Sequence, residues 1–70
     1  VNAIEPGAVM TEKQRRLWYS DQSTVDRIVQ RQFIQRDLLG SDIANAVLFL
    51  ASDDSNMITK QTLTIDAGLL

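Results

Sequence analysis

The chain has 70 residues, a formal net charge of −2, no cysteine and no histidine. A domain this small buries only about 60% of its unfolded surface and usually needs disulfides or a structural metal. Without Cys or His, disulfides, zinc or haem ligation, thiol chemistry and histidine acid–base catalysis drop out, and the balanced charge leaves no nucleic-acid footprint.

No apolar run approaches the ~20 residues of a membrane span, and no basic region precedes the first apolar residues as in a signal peptide. The absence of cysteine suits a reducing compartment, so a cytoplasmic location is expected. The composition predicts a piece of a larger domain whose core partners lie elsewhere.

In chain order, residues 1–4 read as the tail of a strand that stops at Pro6-Gly7. Proline biases Glu5 to extended geometry, and Gly7 permits a positive φ or a close backbone approach. Thr11 with Gln14 matches a capping box, which predicts a short helix over 11–19. Ser23 with Asp26 suggests a second helix, running to about residue 35. Its stripe is Val25, Ile28 and Val29, with polar Gln32 next in line.

Ser41 is the expected cap of a third helix over 42–52, with Asp42 suited to its first turn. Ile43, Val47 and Leu50 form one stripe, Ala44, Leu48 and Ala51 lie beside it, and Phe49 sits on the polar side. A helix apolar almost all round is buried on more than one side. Residues 53–56 form a turn, and residues 61–66 alternate as a strand. The strand–helix–strand spacing predicts a crossover in a parallel α/β sheet.

Two stretches, "VNAIEPGAVMTE" and "SDIANAVLFLASDDSNMITKQTLTIDAGLL", carry a resemblance. The first looks like the segment that follows the catalytic Tyr-x-x-x-Lys of short-chain dehydrogenases/reductases. The second is similar to their C-terminal signature: a helix ending Phe-Leu-Ala-Ser, a turn, and a strand ending Asp-Gly-Gly. Within the family, Met10, Glu12, Gln14, Leu17, Trp18, Met57 and the Asp66-Ala67-Gly68 ending look most like the aldose 1-dehydrogenases. Lys60 and Ala67 stand where the family usually has glycine, so loss of positive φ and a different local backbone are expected there.

The resemblance implies the C-terminal part of a Rossmann-like, doubly wound parallel sheet in a three-layer α/β/α fold. Residues 1–70 would be one fragment of a dinucleotide-binding domain. Residues 1–10 form its strand and cofactor loop, 11–40 its substrate-loop helices, and 41–70 its final helix and strand. The cofactor implied is NAD or NADP, held by Pro6, Gly7, Ala8, Val9 and Thr11. The Val9 backbone would bond the carboxamide, and the Thr11 hydroxyl the carboxamide or a phosphate.

Gln14 and Trp18, with Glu12 beside them, would line the pocket of an alcohol or sugar substrate. The catalytic Ser, Tyr and Lys are expected upstream, so this stretch supplies no catalytic residue. An oligomer, tetramer or dimer, is implied through the 42–52 helix and 62–66 strand, with Phe49, Leu69 and Leu70.

Each assignment has a plainer reading. Thr11 also serves simply as a helix cap, Val9 as loop packing, Pro6-Gly7 as a turn, and Trp18 as packing of a short lid helix. Asn2 reads as a structural side chain. Arg15 and Arg16 read as solvated charge, and so do Asp53 and Asp54, with no metal site expected. The alternative of a different class is a non-enzymatic module that docks a partner through the helix over 43–51.

Overall fold

A computed structural model describes residues 1–69. It orders the chain as β1 (Ala3–Pro6), α1 (Glu12–Leu17), α2 (Gln22–Gln30), α3 (Gly40–Ala51), a single 3₁₀ turn (Asp53–Ser55) and β2 (Thr62–Ile65). The fold is α/β. β1 and β2 pair in parallel, with Ala3 opposite Thr62 and Pro6 opposite Ile65. A parallel pair needs a long crossover, and residues 7–61 supply it.

β1 begins later than residues 1–4 suggest and runs through Pro6. The Ala3 N–H donates to the Gln61 carbonyl and the Gly7 N–H to that of Ile65, each at 2.9 Å. Donors toward one neighbour alternate along a strand, so the Pro6 position faces away from β2. A missing N–H there breaks no bond of this ladder. Asn2 is structural: its amide donates to the Ile58 carbonyl at 3.0 Å and accepts from the Gln61 N–H at 3.1 Å.

Helix starts follow side-chain chemistry, not always at the expected residue. Thr11 does cap α1, its hydroxyl accepting from the Gln14 N–H at 3.2 Å. α2 is capped by Asp21 rather than Ser23, with the Asp21 carboxylate accepting from Ser23 N–H at 3.0 Å. That bond holds the Asp21 carboxyl below its ordinary pKa. α2 also stops at Gln30 instead of about residue 35. Beyond it the Gln32 amide donates to the carbonyls of Ile34 and Arg36 and folds the chain into a tight turn.

α3 starts at Gly40, one residue before the expected cap Ser41. Asp42 reaches back instead, and its carboxylate accepts from the Leu39 N–H at 2.8 Å.

Among the described residues the buried apolar side chains are Met10, Val25 and Leu38, with Val25 fully enclosed. They come from the loop after β1, from α2 and from the connector into α3. α3, the most apolar element, has no buried residue, and Leu48 is 67% exposed. A cleft of about 530 Å³ opens between β1 and Val47, Leu50 and Ala51. Phe49 is also exposed and Leu69 half-buried, while Leu70 lies outside the described residues. Burial on two sides, expected for α3, is not met within these residues because nothing in them covers it.

The expected backbone change at Lys60 and Ala67 does not occur. Both hold a positive φ, 63° and 56°, despite their Cβ atoms. With Gly68 at 74°, Ala67 turns the chain sharply after β2. The Asp66 carboxylate supports that turn by accepting from the Gly68 N–H at 2.9 Å.

Candidate functional site

The C-terminal ends of parallel strands are where open α/β sheets place ligands. Here β1 ends in residues 7–11, and the chain ties this loop at both ends. Gly7 presses on the turn after β2: a Cβ on Gly7 would lie 2.5 Å from the Asp66 Cβ and 2.8 Å from its Cα. Close approach, rather than positive φ, is therefore what position 7 requires. At the other end the Met10 N–H donates to the Leu38 carbonyl at 2.7 Å, and both side chains are buried.

Between these ties Val9 forms an isolated parallel bridge with Leu38. In such a bridge one residue uses its own peptide groups and bonds the neighbours of the other. Leu38 is the bonded member, and the bond goes to Met10. Among the described residues no hydrogen bond engages the Val9 N–H or C=O. A fixed backbone donor and acceptor are thus left unused on an anchored loop. Ala8, small and half-buried, occupies the bend before them.

Thr11 closes the loop. Its methyl would lie 3.9 Å from a Cβ at Gly40, the first residue of α3, so it stands where α1 and α3 both begin. The hydroxyl spends one lone pair on the Gln14 N–H. Its own hydrogen and a second lone pair remain for a ligand, so capping and binding are compatible. Pro6 is exposed at the strand end.

Gln14 and Trp18 sit four residues apart on α1 and share its face. Gln14 is half-buried and Trp18 is 70% exposed at the C-cap. The spacing puts a half-buried amide and an exposed indole one turn apart at the end of α1. Glu12 is exposed in the first turn.

Arg15 and Arg16 do not behave alike. Arg16 is solvated, as expected. Arg15 is solvated too but has partners: it pairs with Asp37 at 3.6 Å and donates to the Gln22 side-chain oxygen at 2.9 Å.

The residues that sequence reasoning missed are Leu38 and Arg15. The available signal for Leu38 was an apolar pair, Leu38-Leu39, inside an otherwise polar connector. For Arg15 there was none, since its partners lie 7 and 22 positions away.

Residues 1–70 match the family model described as "Enoyl-(Acyl carrier protein) reductase". The chain is 46% identical over 69 residues to a probable galactose dehydrogenase of Rhizobium meliloti, covering 99% of this chain and 27% of that protein. It superposes on a 4-hydroxyisoleucine dehydrogenase solved with NADH at a TM-score of 0.84 and 31% identity, covering 97% of this chain and 28% of the other.

A short-chain dehydrogenase/reductase of Brucella melitensis, titled as a glucose/ribitol dehydrogenase, shares the fold at a TM-score of 0.85 and 24% identity, covering all of this chain and 27% of that one. The chain spans about a quarter of the length of these proteins. With the parallel pair, the anchored loop and the match along its whole length, the chain belongs to the short-chain dehydrogenase/reductase family, as a portion most like its sugar dehydrogenases.

Proposed function

We propose that this chain is the nicotinamide-side portion of an NAD(P)-dependent oxidoreductase that passes hydride between an alcohol, the C1 hydroxyl of an aldose, and the cofactor. The observation that carries the reading is the unused N–H and C=O of Val9 on a loop fixed by Gly7 and Met10. A donor and an acceptor held in place can bond both ends of a carboxamide and fix which face of the ring is presented. When bound, the nicotinamide supplies the hydride chemistry.

The chain's own residues bind and orient. Pro6, Gly7 and Ala8 bring the backbone close, Val9 holds the carboxamide, and the free Thr11 O–H adds a further bond to the cofactor. Gln14 and Trp18 offer an amide for hydroxyls and an aromatic face for the apolar side of a sugar ring. The family resemblance puts the proton-abstracting tyrosinate outside these residues. The name of the galactose dehydrogenase relative supports a sugar substrate. The bare faces of α3 and β2 suit cover by further sheet and by a second copy of the chain. No observation favours a non-enzymatic docking module.

The test is Thr11→Ala in the intact enzyme. Loss of the cap costs about 1 kcal/mol of stability. If the hydroxyl also binds cofactor, KM for NAD or NADP rises by more than that loss explains, with kcat and the aldose KM little changed. An altered melting temperature with an unaltered cofactor KM would remove Thr11 from the site. A panel of aldoses with both cofactors identifies the substrate.

A further inference from the structure

The loop that carries Val9 takes one of its two ties, Met10 to Leu38, from a segment that is neither helix nor strand. What holds Leu38 therefore decides where Val9 sits. Its neighbours are pinned on two sides. Arg36 pairs with Asp42 of α3 at 3.2 Å. Asp37 pairs with Arg15 of α1 at 3.6 Å. Arg15 also donates to Gln22, and the Gln22 amide donates to Asp26 at 3.0 Å, both in α2. One side chain thus joins α1, α2 and the strap that fixes the loop.

Arg15 and Asp37 are 42% and 38% exposed. Water and salt reach the pair, so it holds without locking. Arg36 is held by Asp42 of α3 and, at its carbonyl, by the Gln32 amide after α2. Arg15 is the one side chain of α1 that an ion pair ties to the strap among the described residues.

We propose that Arg15 is a positioning residue: it latches the α1–α2 lid to Asp37 and, through Leu38 and Met10, sets the Val9 peptide groups. The effect on catalysis rests on the cofactor reading above; the mechanical coupling does not. Arg15 touches no reacting atom in this scheme.

The experiment is hydrogen–deuterium exchange of the intact enzyme, read at the Met10 amide with the Gly7 amide as internal reference. An exposed pair of this kind is worth a factor of about two to five in a local equilibrium. Arg15→Ala is expected to speed Met10 exchange by about that factor and leave Gly7, bonded to Ile65, unchanged. Arg16→Ala is expected to change neither. R15D combined with D37R is expected to return Met10 toward the wild-type rate, where R15D alone does not. In steady-state kinetics, Arg15→Ala raises the cofactor KM by a similar factor while kcat holds or rises.

Unchanged Met10 exchange overturns the latch. So does an equal rise at Gly7, which would mean general loosening, and so does failure of the charge reversal to restore protection. If exchange responds but the wild type shows no nicotinamide-dependent activity, the latch stands and the cofactor reading falls.

Discussion

The seam at Gly7 and the outer faces of α3 meet their surroundings in opposite ways. At the seam every close contact is made by the chain itself. Gly7 abuts Asp66, the Asp66 carboxylate caps its own turn, and Ile34 N–H donates to the Ala67 carbonyl just beyond it. Phe33 rests where a Cβ on Gly68 would be only 2.8 Å away. The turn after β2 therefore touches the loop after β1 on one side and the segment after α2 on the other. α3 carries far more apolar surface yet buries no residue. Backbone geometry is satisfied locally by hydrogen bonds and short approaches. Apolar burial needs area, and 70 residues do not provide it.

The strongest way to break this contrast is Leu48→Ala in the intact enzyme. If other parts of the protein cover α3, the substitution removes buried methyl groups and costs about 2–5 kcal/mol. If Leu48 stays as exposed as it is here, the change is within about 0.5 kcal/mol. Chemical denaturation separates the two outcomes.

Gly7→Ala probes the seam. Its new methyl meets Asp66 backbone and Cβ, neither of which is a flexible side-chain tip. A loss of about 1–3 kcal/mol is expected, with weaker cofactor binding by calorimetry because the loop must move.

Smaller effects sharpen the same contrast at the two strained corners. A left-handed conformation costs a residue with a Cβ roughly 1–2 kcal/mol, while glycine loses about 0.5–1 kcal/mol more chain entropy on folding than alanine. Lys60→Gly and Ala67→Gly are each expected to raise stability by the small difference, seen as a modest gain in melting temperature. A loss at either site would mean that the native side chain makes a contact worth more than the strain.

The smallest effect expected is electrostatic. The Arg36 guanidinium, and then the Leu39 N–H, hold the Asp42 carboxyl below its ordinary pKa. A lowered pKa in the folded state favours the ionised fold. That contribution is complete above the ordinary aspartate range and disappears as pH falls through the lowered value. Asp42→Asn should therefore melt earlier than wild type at neutral pH, with the gap closing toward low pH. A gap that persists in acid would assign the effect to packing instead.

Much of the local backbone around the candidate site was legible before any tertiary information. Pro6-Gly7 after an apolar strand marked the turn, and Thr11 with Gln14 marked the cap, because these residues act within a few positions of themselves. The α2 boundaries were not legible. The Asp21 and Gln32 side chains bond backbone that a helix over 23–35 would have used, and periodicity alone does not reveal such competition. The Leu39 cap was hidden for the same reason: a distant anchor at Leu38 and a carboxylate reaching back from Asp42 outweighed the better capping residue, Ser41.

By itself, the sequence determined element types, their order and the parallel crossover, since periodicity and capping chemistry are local properties, and its two motif-bearing ends carried the family resemblance. Only the tertiary structure decided that position 7 needs glycine for Asp66, that Lys60 and Ala67 keep a left-handed backbone, and that Leu38 leaves the Val9 peptide groups free. Those outcomes depend on which distant segments come within hydrogen-bonding or van der Waals reach. Such distances are set by the packing of the whole chain, and no residue's neighbours in sequence encode them.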